Sequence, residues 1–207
     1  MKCILLLIAC AGVCQTPPAF SSDAPADGAG RFYFAADAGA VWLGNVGFRN
    51  SAGSGTFRFD PGFRLDVAGG YQFTPSLSVE VETGLTINRV RTFTSDFSEE
   101  DSVYLLQVPL LANVTCRIPT RSPLKPFLGA GVGGVHTSLE NWSLFSDEFN
   151  GEDFTFGFQG FAGLRWQISE KTELGLAYKF LGTTDHSLEH MEGTRSHSAV
   201  ISFAIRF

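Results

Sequence analysis

The chain has 207 residues, of which 44% are hydrophobic and 17% are charged, and it contains 23 glycines and 20 phenylalanines. Charged residues make up about 25% of an ordinary soluble domain, so the charge content of this chain is low. The formal net charge of −6 argues against a nucleic-acid partner, because nucleic-acid binding needs a basic surface. The length suits one domain or two.

The first residues have the features of an export signal. Met1–Gln15 reads MKCILLLIACAGVCQ, in which one lysine precedes a short apolar run and small residues follow. The run is too short to cross a bilayer as a helix and is typical of a secretory signal peptide. We expect residues 1–26 to form this signal and the start of a flexible lead-in, with cleavage near Ala24–Ala26. Leu7–Cys10 also resembles a lipoprotein signal, which would place a lipid on Cys10.

Residues 27–207 are predicted to form one domain, in which apolar and polar residues alternate with the period of a β-strand. In the clearest stretch, Phe63, Leu65 and Val67 share one face, and Arg64 and Asp66 share the other. The same alternation recurs along the chain. It predicts eight strands, at Arg31–Leu43, Phe63–Phe73, Leu77–Val90, Val103–Ile118, Pro126–Thr137, Phe154–Ile168, Thr172–Gly182 and Ser196–Phe207. Pro109 lies inside one of them and predicts a bulge, since proline removes a ladder hydrogen bond.

Short and long connections alternate between the predicted strands. The short connections are Thr74–Ser76, Pro119–Lys125 and Ser169–Lys171. The long ones are predicted loops at Gly44–Gly62, Thr92–Ser102, Ser138–Asp153 and Thr183–Arg195. An even number of strands with this asymmetry predicts an all-β fold, a closed antiparallel eight-stranded transmembrane up-and-down β-barrel. Both chain termini and the short turns would then lie on the periplasmic side.

The charged residues of the strands fall on the face opposite the large apolar side chains. A soluble β-sandwich and a membrane barrel share this alternation, but only the barrel turns the charges inward. On a lipid face each charge would cost a few kcal/mol near the midplane, whereas inside they can pair. The predicted inward charges nearly neutralise one another, and they are Arg64, Asp66, Glu80, Glu82, Arg117, Arg165, Glu173, Lys179 and Arg206.

Three passages carry a family resemblance: Pro126–Gly133, Leu176–Gly182 and the terminal Ile205–Phe207. They resemble the small outer-membrane barrels typified by the OmpA transmembrane domain and the opacity-type surface proteins. The resemblance implies an outer-membrane location, with membrane lipid and lipopolysaccharide as surroundings. The last strand, Ser196–Phe207, resembles the closing strand that the barrel assembly machinery reads. The OmpA class often adds a peptidoglycan-binding domain after the barrel, and that function is not expected here because the sequence stops at Phe207.

Two motifs suggest cofactor or metal chemistry and fit it poorly. Gly129–Gly134 matches G-x-G-x-x-G, but a dinucleotide site needs a following helix, and a strand and loop are predicted instead. Ser146–Gly151 lacks the spaced carboxylates of a calcium loop. The four histidines show no spacing typical of a metal site, and they are His136, His186, His190 and His197. We therefore predict no cofactor-binding or metal-binding residue.

The predicted function is that of a non-enzymatic surface barrel. An interior of eight strands is nearly filled by side chains, which argues against a wide channel. The chain would contribute to envelope integrity and present loops for adhesion or binding of an extracellular ligand, chiefly at Gly44–Gly62 and Ser138–Asp153. One alternative is a lipid A-modifying enzyme of the deacylase or acyltransferase type, suggested by His186, Ser187 and Glu189. Adjacent loop residues seldom form such a site, so no catalytic residue is predicted. The other alternative is a small narrow pore.

Overall fold

The computed structural model describes residues 31–50, 53–93, 103–141, 151–185 and 192–207. The predicted signal peptide lies outside them. The ten strands are β1 (Arg31–Leu43), β2 (Val46–Asn50), β3 (Gly53–Phe59), β4 (Gly62–Gln72), β5 (Leu77–Phe93), β6 (Val103–Arg117), β7 (Leu124–Asn141), β8 (Gly151–Gln167), β9 (Thr172–Thr183) and β10 (Arg195–Arg206). Over these ranges there is no helix of the length and hydropathy needed to cross a bilayer.

Eight of the strands close into a barrel. Each of them pairs antiparallel with its neighbours in the order β1, β4, β5, β6, β7, β8, β9, β10, and β10 returns to β1. This ring confirms the predicted closed, antiparallel, eight-stranded fold. Closure gives every strand a partner on both sides, so that no unpaired edge of the barrel wall is left.

The remaining two strands correct the prediction of a long loop at Gly44–Gly62. β2 and β3 form a hairpin, and β3 continues along the overhanging end of β5, where Phe59 lies opposite Val90. On the hairpin's other side, the Glu192 backbone N–H donates to the Gly47 carbonyl oxygen over 2.9 Å. The barrel wall is therefore prolonged above β1 and β4. The high glycine and serine content of this stretch predicted a loop. The pairing of β3 with β5 is not visible in the local sequence, because the two strands lie far apart in the chain.

Three short connections lie at one end of the barrel, called here the short-turn end. In two of them a hydroxyl caps the turn: Thr74 Oγ1 accepts from the Leu77 backbone N–H over 3.0 Å, and Ser169 Oγ accepts from that of Thr172 over 3.1 Å. Such side-chain bonds are a common stabilising device of tight turns. The short turns predicted there are confirmed. The opposite end is called the long-loop end, and residues 94–102, 142–150 and 186–191 of its connections lie outside the described ranges.

The barrel is apolar outside and polar inside. Phe63, Leu65 and Val67 are exposed on the outer wall of β4, whereas Arg64 and Asp66 between them are buried. Large apolar side chains face outward in the same way on all eight barrel strands. Together they form a continuous outer band. A band of that extent is typical of a lipid-facing surface. Eight of the nine charged residues predicted to face inward are buried. The ninth, Arg117, is partly buried at the end of β6.

The bulge predicted at Pro109 is wrong. The register between β5 and β6 is unchanged across this position, because Thr83 pairs with Leu110 on one side and Thr86 with Gln107 on the other. The Thr83 hydroxyl donates to the Pro109 carbonyl oxygen over 2.8 Å and ties the strands together there. Proline removes only its own donor, so β6 keeps its alternation through the site.

Candidate functional site

The middle of the barrel interior holds a group of ion pairs, called here the central network. Lys179 Nζ lies 2.6 Å from Asp37 Oδ2, 2.9 Å from Asp66 Oδ2 and 3.1 Å from Glu82 Oε2. Arg64 is the second cation, with its Nε 2.6 Å from Asp66 Oδ2 and its Nη2 3.0 Å from Glu82 Oε1. Four of the five side chains are buried and Asp37 is 14% exposed, so each charge depends on its partners in the network to offset the loss of hydration.

Amide and hydroxyl groups extend the central network across the barrel. Asn113 Nδ2 donates to Glu82 over 3.0 Å and to Glu80 over 3.2 Å, and its Oδ1 accepts from Gln159 over 3.0 Å. The Tyr33 hydroxyl donates to Glu80 Oε2 over 2.6 Å. The connected groups come from β1, β4, β5, β6, β8 and β9, so that hydrogen bonds cross the interior from wall to wall.

A second charged group, called here the basic layer, lies at the short-turn end. It consists of Arg117 on β6, Arg165 on β8, Glu173 on β9 and Arg206 on β10, all near the short-turn ends of their strands. Glu173 accepts from Arg206, and its Oε2 accepts from Arg117 Nη2 over 3.2 Å. Arg165 Nη1 is 4.0 Å from the same carboxylate oxygen. Lys125 adjoins the layer, directly across from Arg165 in the β7–β8 register.

The two groups have opposite charge. The central network with Glu80 contains four carboxylates and two cations, whereas the basic layer contains three cations and one carboxylate. Together they balance, which confirms the prediction that inward charges would nearly neutralise one another. The balance is not local, however, because the carboxylates are concentrated in the middle and the arginines at the short-turn end.

Aromatic side chains fill the interior beside the basic layer. The rings of Phe127 and Phe161 lie 6.3 Å apart between their centroids, and the Arg165 guanidinium stacks on Phe127 at 4.5 Å. Gly129 makes room for them, since a Cβ at that position would collide with the Phe161 ring. Glycine at this position of β7 thus lets the interior close up around large rings.

The interior becomes neutral towards the long-loop end. Leu111, Val135 and Leu181 form one buried apolar cluster. Above it, Gln107 Nε2 donates to the Thr194 hydroxyl over 2.9 Å. An apolar cap then closes this end and consists of Leu43, Val46, Phe57 and Leu105, packed against Phe59, Val90 and Leu139. The interior is therefore occupied from one end to the other.

The motifs singled out in the sequence lie in ordinary wall positions or outside the described residues. Gly129–Gly134 lies wholly within β7, so the strand-to-helix turn of a dinucleotide site is not formed there. His186, Ser187, Glu189 and His190 lie outside the described ranges, as do residues 146–150 of the tested calcium motif.

Two histidines are visible on the outer wall. His136 faces outward on β7, and His197 faces outward on β10. His197 Nδ1 lies 2.6 Å from the Tyr178 hydroxyl, and its ring is 5.3 Å from that of Phe180. These contacts place His197 among aromatic side chains of the outer wall. In the described part of the chain, no group of three or more histidine, cysteine or acidic side chains is arranged so that it could hold a metal ion.

A basic patch on the outer wall was missed by the sequence reasoning. Arg58, Arg89 and Arg91, called here the rim arginines, are exposed on β3 and β5. Arg91 pairs with Asp60 over 2.6 Å. Arg89 lies one outward position above Ile87, so the patch begins directly above the apolar band. Arg58 was missed because it lies in the predicted loop Gly44–Gly62, where no alternation of inward and outward side chains was expected.

Comparison with known proteins gives the same fold. The sequence model of the outer membrane protein beta-barrel domain matches residues 5–207. Neisserial surface protein A is 19% identical with a TM-score of 0.58, over 85% of this chain and 97% of that protein. OprG of Pseudomonas aeruginosa is 14% identical with a TM-score of 0.59, over 87% of this chain and 97% of that protein.

A curated relative matches a shorter stretch. An uncharacterized protein of Brucella abortus (strain 2308) is 28% identical over 80 residues, which is 34% of this chain and 28% of that relative. The match to the family's sequence model, by contrast, spans nearly the whole chain. A closed eight-stranded ring with an apolar outer band and a charged interior, matched by that model, places this chain in the outer membrane protein beta-barrel family.

Proposed function

We propose that this protein is a non-enzymatic surface barrel that contributes to envelope integrity and presents its long-loop end for adhesion or binding. The observation that carries the proposal is the occupied interior: ion pairs, aromatic rings and the apolar cap fill the barrel along its length. A solute has no wide path through such an interior. The surfaces left for recognition are the outer wall and the long-loop end, where the β2–β3 hairpin raises the wall.

The proposed orientation places the short-turn end in the periplasm, with both termini. Even strand number brings the termini to one end, and short turns face the periplasm in barrels of this kind. The long loops then face outward. β10, with Ile201, Phe203 and Ile205 on its lipid-facing side, is the segment proposed to be read by the barrel assembly machinery.

The proposed membrane partner is lipopolysaccharide. The rim arginines lie directly above the apolar band, where the phosphates of the outer leaflet would be. The patch brings three guanidinium groups together on the outer wall, and Arg91 is paired with Asp60. Guanidinium groups bind phosphate in bidentate geometry, so the patch is suited to anchoring the barrel among these lipids. Neisserial surface protein A, as its name says, is a surface protein, and the shared fold is consistent with a surface role here.

Two variants test adhesion and envelope integrity separately. Each variant is expressed in cells that lack the native gene. In the loop-trimmed variant, residues 94–102 and 142–150 are each replaced by Asn-Gly, which forms two-residue hairpins. We expect adhesion to epithelial cells to fall to the level of the deletion strain, while resistance to sodium dodecyl sulfate stays at the wild-type level. In the second variant all three rim arginines are replaced with glutamine. We expect this variant to keep wild-type adhesion and to lose resistance to sodium dodecyl sulfate. A gel-mobility assay of folding controls for loss of the barrel. Adhesion and detergent resistance that do not change on deletion of the gene would contradict the proposal.

A further inference from the structure

We propose that the basic layer is a binding site for a small inorganic oxyanion of the phosphate or sulfate class. The site lies inside the barrel wall at the short-turn end. It would be formed by Arg117, Arg165 and Arg206 around Glu173. This site is separate from the long-loop end and from the rim arginines, where the adhesion and lipid contacts are proposed. Only the compartment that supplies the ion, the periplasm, depends on the orientation proposed above.

The first argument is charge. Three buried or partly buried guanidinium groups share one carboxylate, Glu173, so the layer has a surplus of two positive charges. Buried charge without a close counter-charge is unfavourable, because the ion has lost its hydration and has nothing to replace it. Three carboxylates of the central network lie within 2.6–3.1 Å of Lys179 or Arg64. The fourth, Glu80, accepts hydrogen bonds from the Tyr33 hydroxyl and from Asn113 Nδ2. An anion between the arginines would supply the close counter-charge.

The second argument is an unused donor. Arg165 Nε is buried and has no hydrogen-bond partner within the described ranges. Its Nη1 lies 4.0 Å from Glu173, which is too long for a hydrogen bond. Stacking on Phe127 at 4.5 Å holds the guanidinium plane in place. The Thr115 hydroxyl, two residues from Arg117 on the same inward face, is likewise buried without a partner in the described structure.

The third argument concerns the size and class of the ligand. The side chains of Arg165 and Arg206 are only 7% and 5% exposed, so a large molecule cannot reach them. Arg117, at 11%, is the most exposed of the three and lies at the short-turn end of its strand. Planar guanidinium groups match the spacing of two oxygens on one phosphorus or sulfur atom. A small free oxyanion fits this combination of low exposure and fork-shaped donors.

Calorimetric titration of the folded barrel in detergent with sodium phosphate tests the site, at constant ionic strength in sodium gluconate. We expect one saturable site in the wild-type protein. Arg165→Gln should weaken binding about tenfold or more, because it removes a charged donor to the anion. Arg195→Gln is the matched control, since Arg195 is exposed on the outer wall near the long-loop end and its loss changes the net charge equally.

Either of two results would overturn the proposal: no saturable heat from the wild-type protein with phosphate or with sulfate, or unchanged phosphate affinity in Arg165→Gln. If Arg165→Gln does not fold, Arg117→Gln provides the same comparison. A second measurement needs no variant. Crystals of the wild-type barrel soaked in selenate should show an anomalous selenium peak within hydrogen-bond distance of Arg165 Nε, and selenate bound only elsewhere, or not at all, would contradict the site.

Discussion

Replacing Lys179 with methionine is expected to lower the free energy of unfolding by about 3–5 kcal/mol. Lys179 Nζ is within 3.1 Å of three carboxylates, on β1, β4 and β5. Methionine fills a similar volume but leaves only Arg64 to balance Asp37, Asp66 and Glu82 in a buried setting. The loss can be measured by urea unfolding in lipid vesicles, followed by tryptophan fluorescence.

Two controls show whether the loss comes from uncompensated charge. Lys171→Met removes a lysine from an exposed turn and should change the unfolding free energy by less than about 0.5 kcal/mol. Adding Asp37→Asn and Asp66→Asn to Lys179→Met should recover part of the loss, because it removes the carboxylates left without a partner. A Lys179→Met barrel as stable as the wild type would show that the central network is not what holds the interior together.

The second large effect is expected on the lipid-facing wall. Ile201 is 60% exposed in the middle of β10, between Ala38 and Leu176 in the register. Ile201→Arg should cost about 2–4 kcal/mol in vesicles, since it places a charge near the bilayer midplane. If this outer wall faced water instead of lipid, an exposed arginine would be nearly neutral. Equilibrium unfolding in vesicles therefore tests whether the wall faces lipid.

Ile201→Leu is the control for this substitution, because it keeps an apolar side chain of the same size and should leave the unfolding free energy nearly unchanged. The lipid-facing assignment of this wall would be contradicted if Ile201→Arg were tolerated as well as Ile201→Leu.

The strands and their two faces were predictable because the alternation is local. Arg64 between Phe63 and Leu65 assigns both faces of β4 without any knowledge of its neighbours, and the structure confirms this for all nine predicted inward charges. The β2–β3 hairpin was not predictable in the same way. Its strands are short, and β3 is stabilised by pairing with β5 about thirty residues away, so local composition indicated a loop.

The candidate site was predictable as a set of residues but not as an arrangement. The predicted charge balance holds, yet no sequence pattern shows that Lys179 meets carboxylates from three strands while Arg117, Arg165 and Arg206 share Glu173. That segregation depends on the stagger between strands. Lys125 was assigned to a turn because the predicted strand began one residue later, at Pro126, so its place beside Arg165 was missed.

The central claim, that this chain is a folded outer-membrane barrel, is tested most directly by its mobility on a gel with and without boiling. The measurement uses outer-membrane fractions of cells that express the protein. Barrels of this kind stay folded in sodium dodecyl sulfate until they are boiled. We therefore expect the outer-membrane fraction to contain a band whose mobility changes when the sample is boiled. A soluble periplasmic protein with no shift would contradict the account, and the alternation would then belong to a secreted sandwich with its apolar face turned inward.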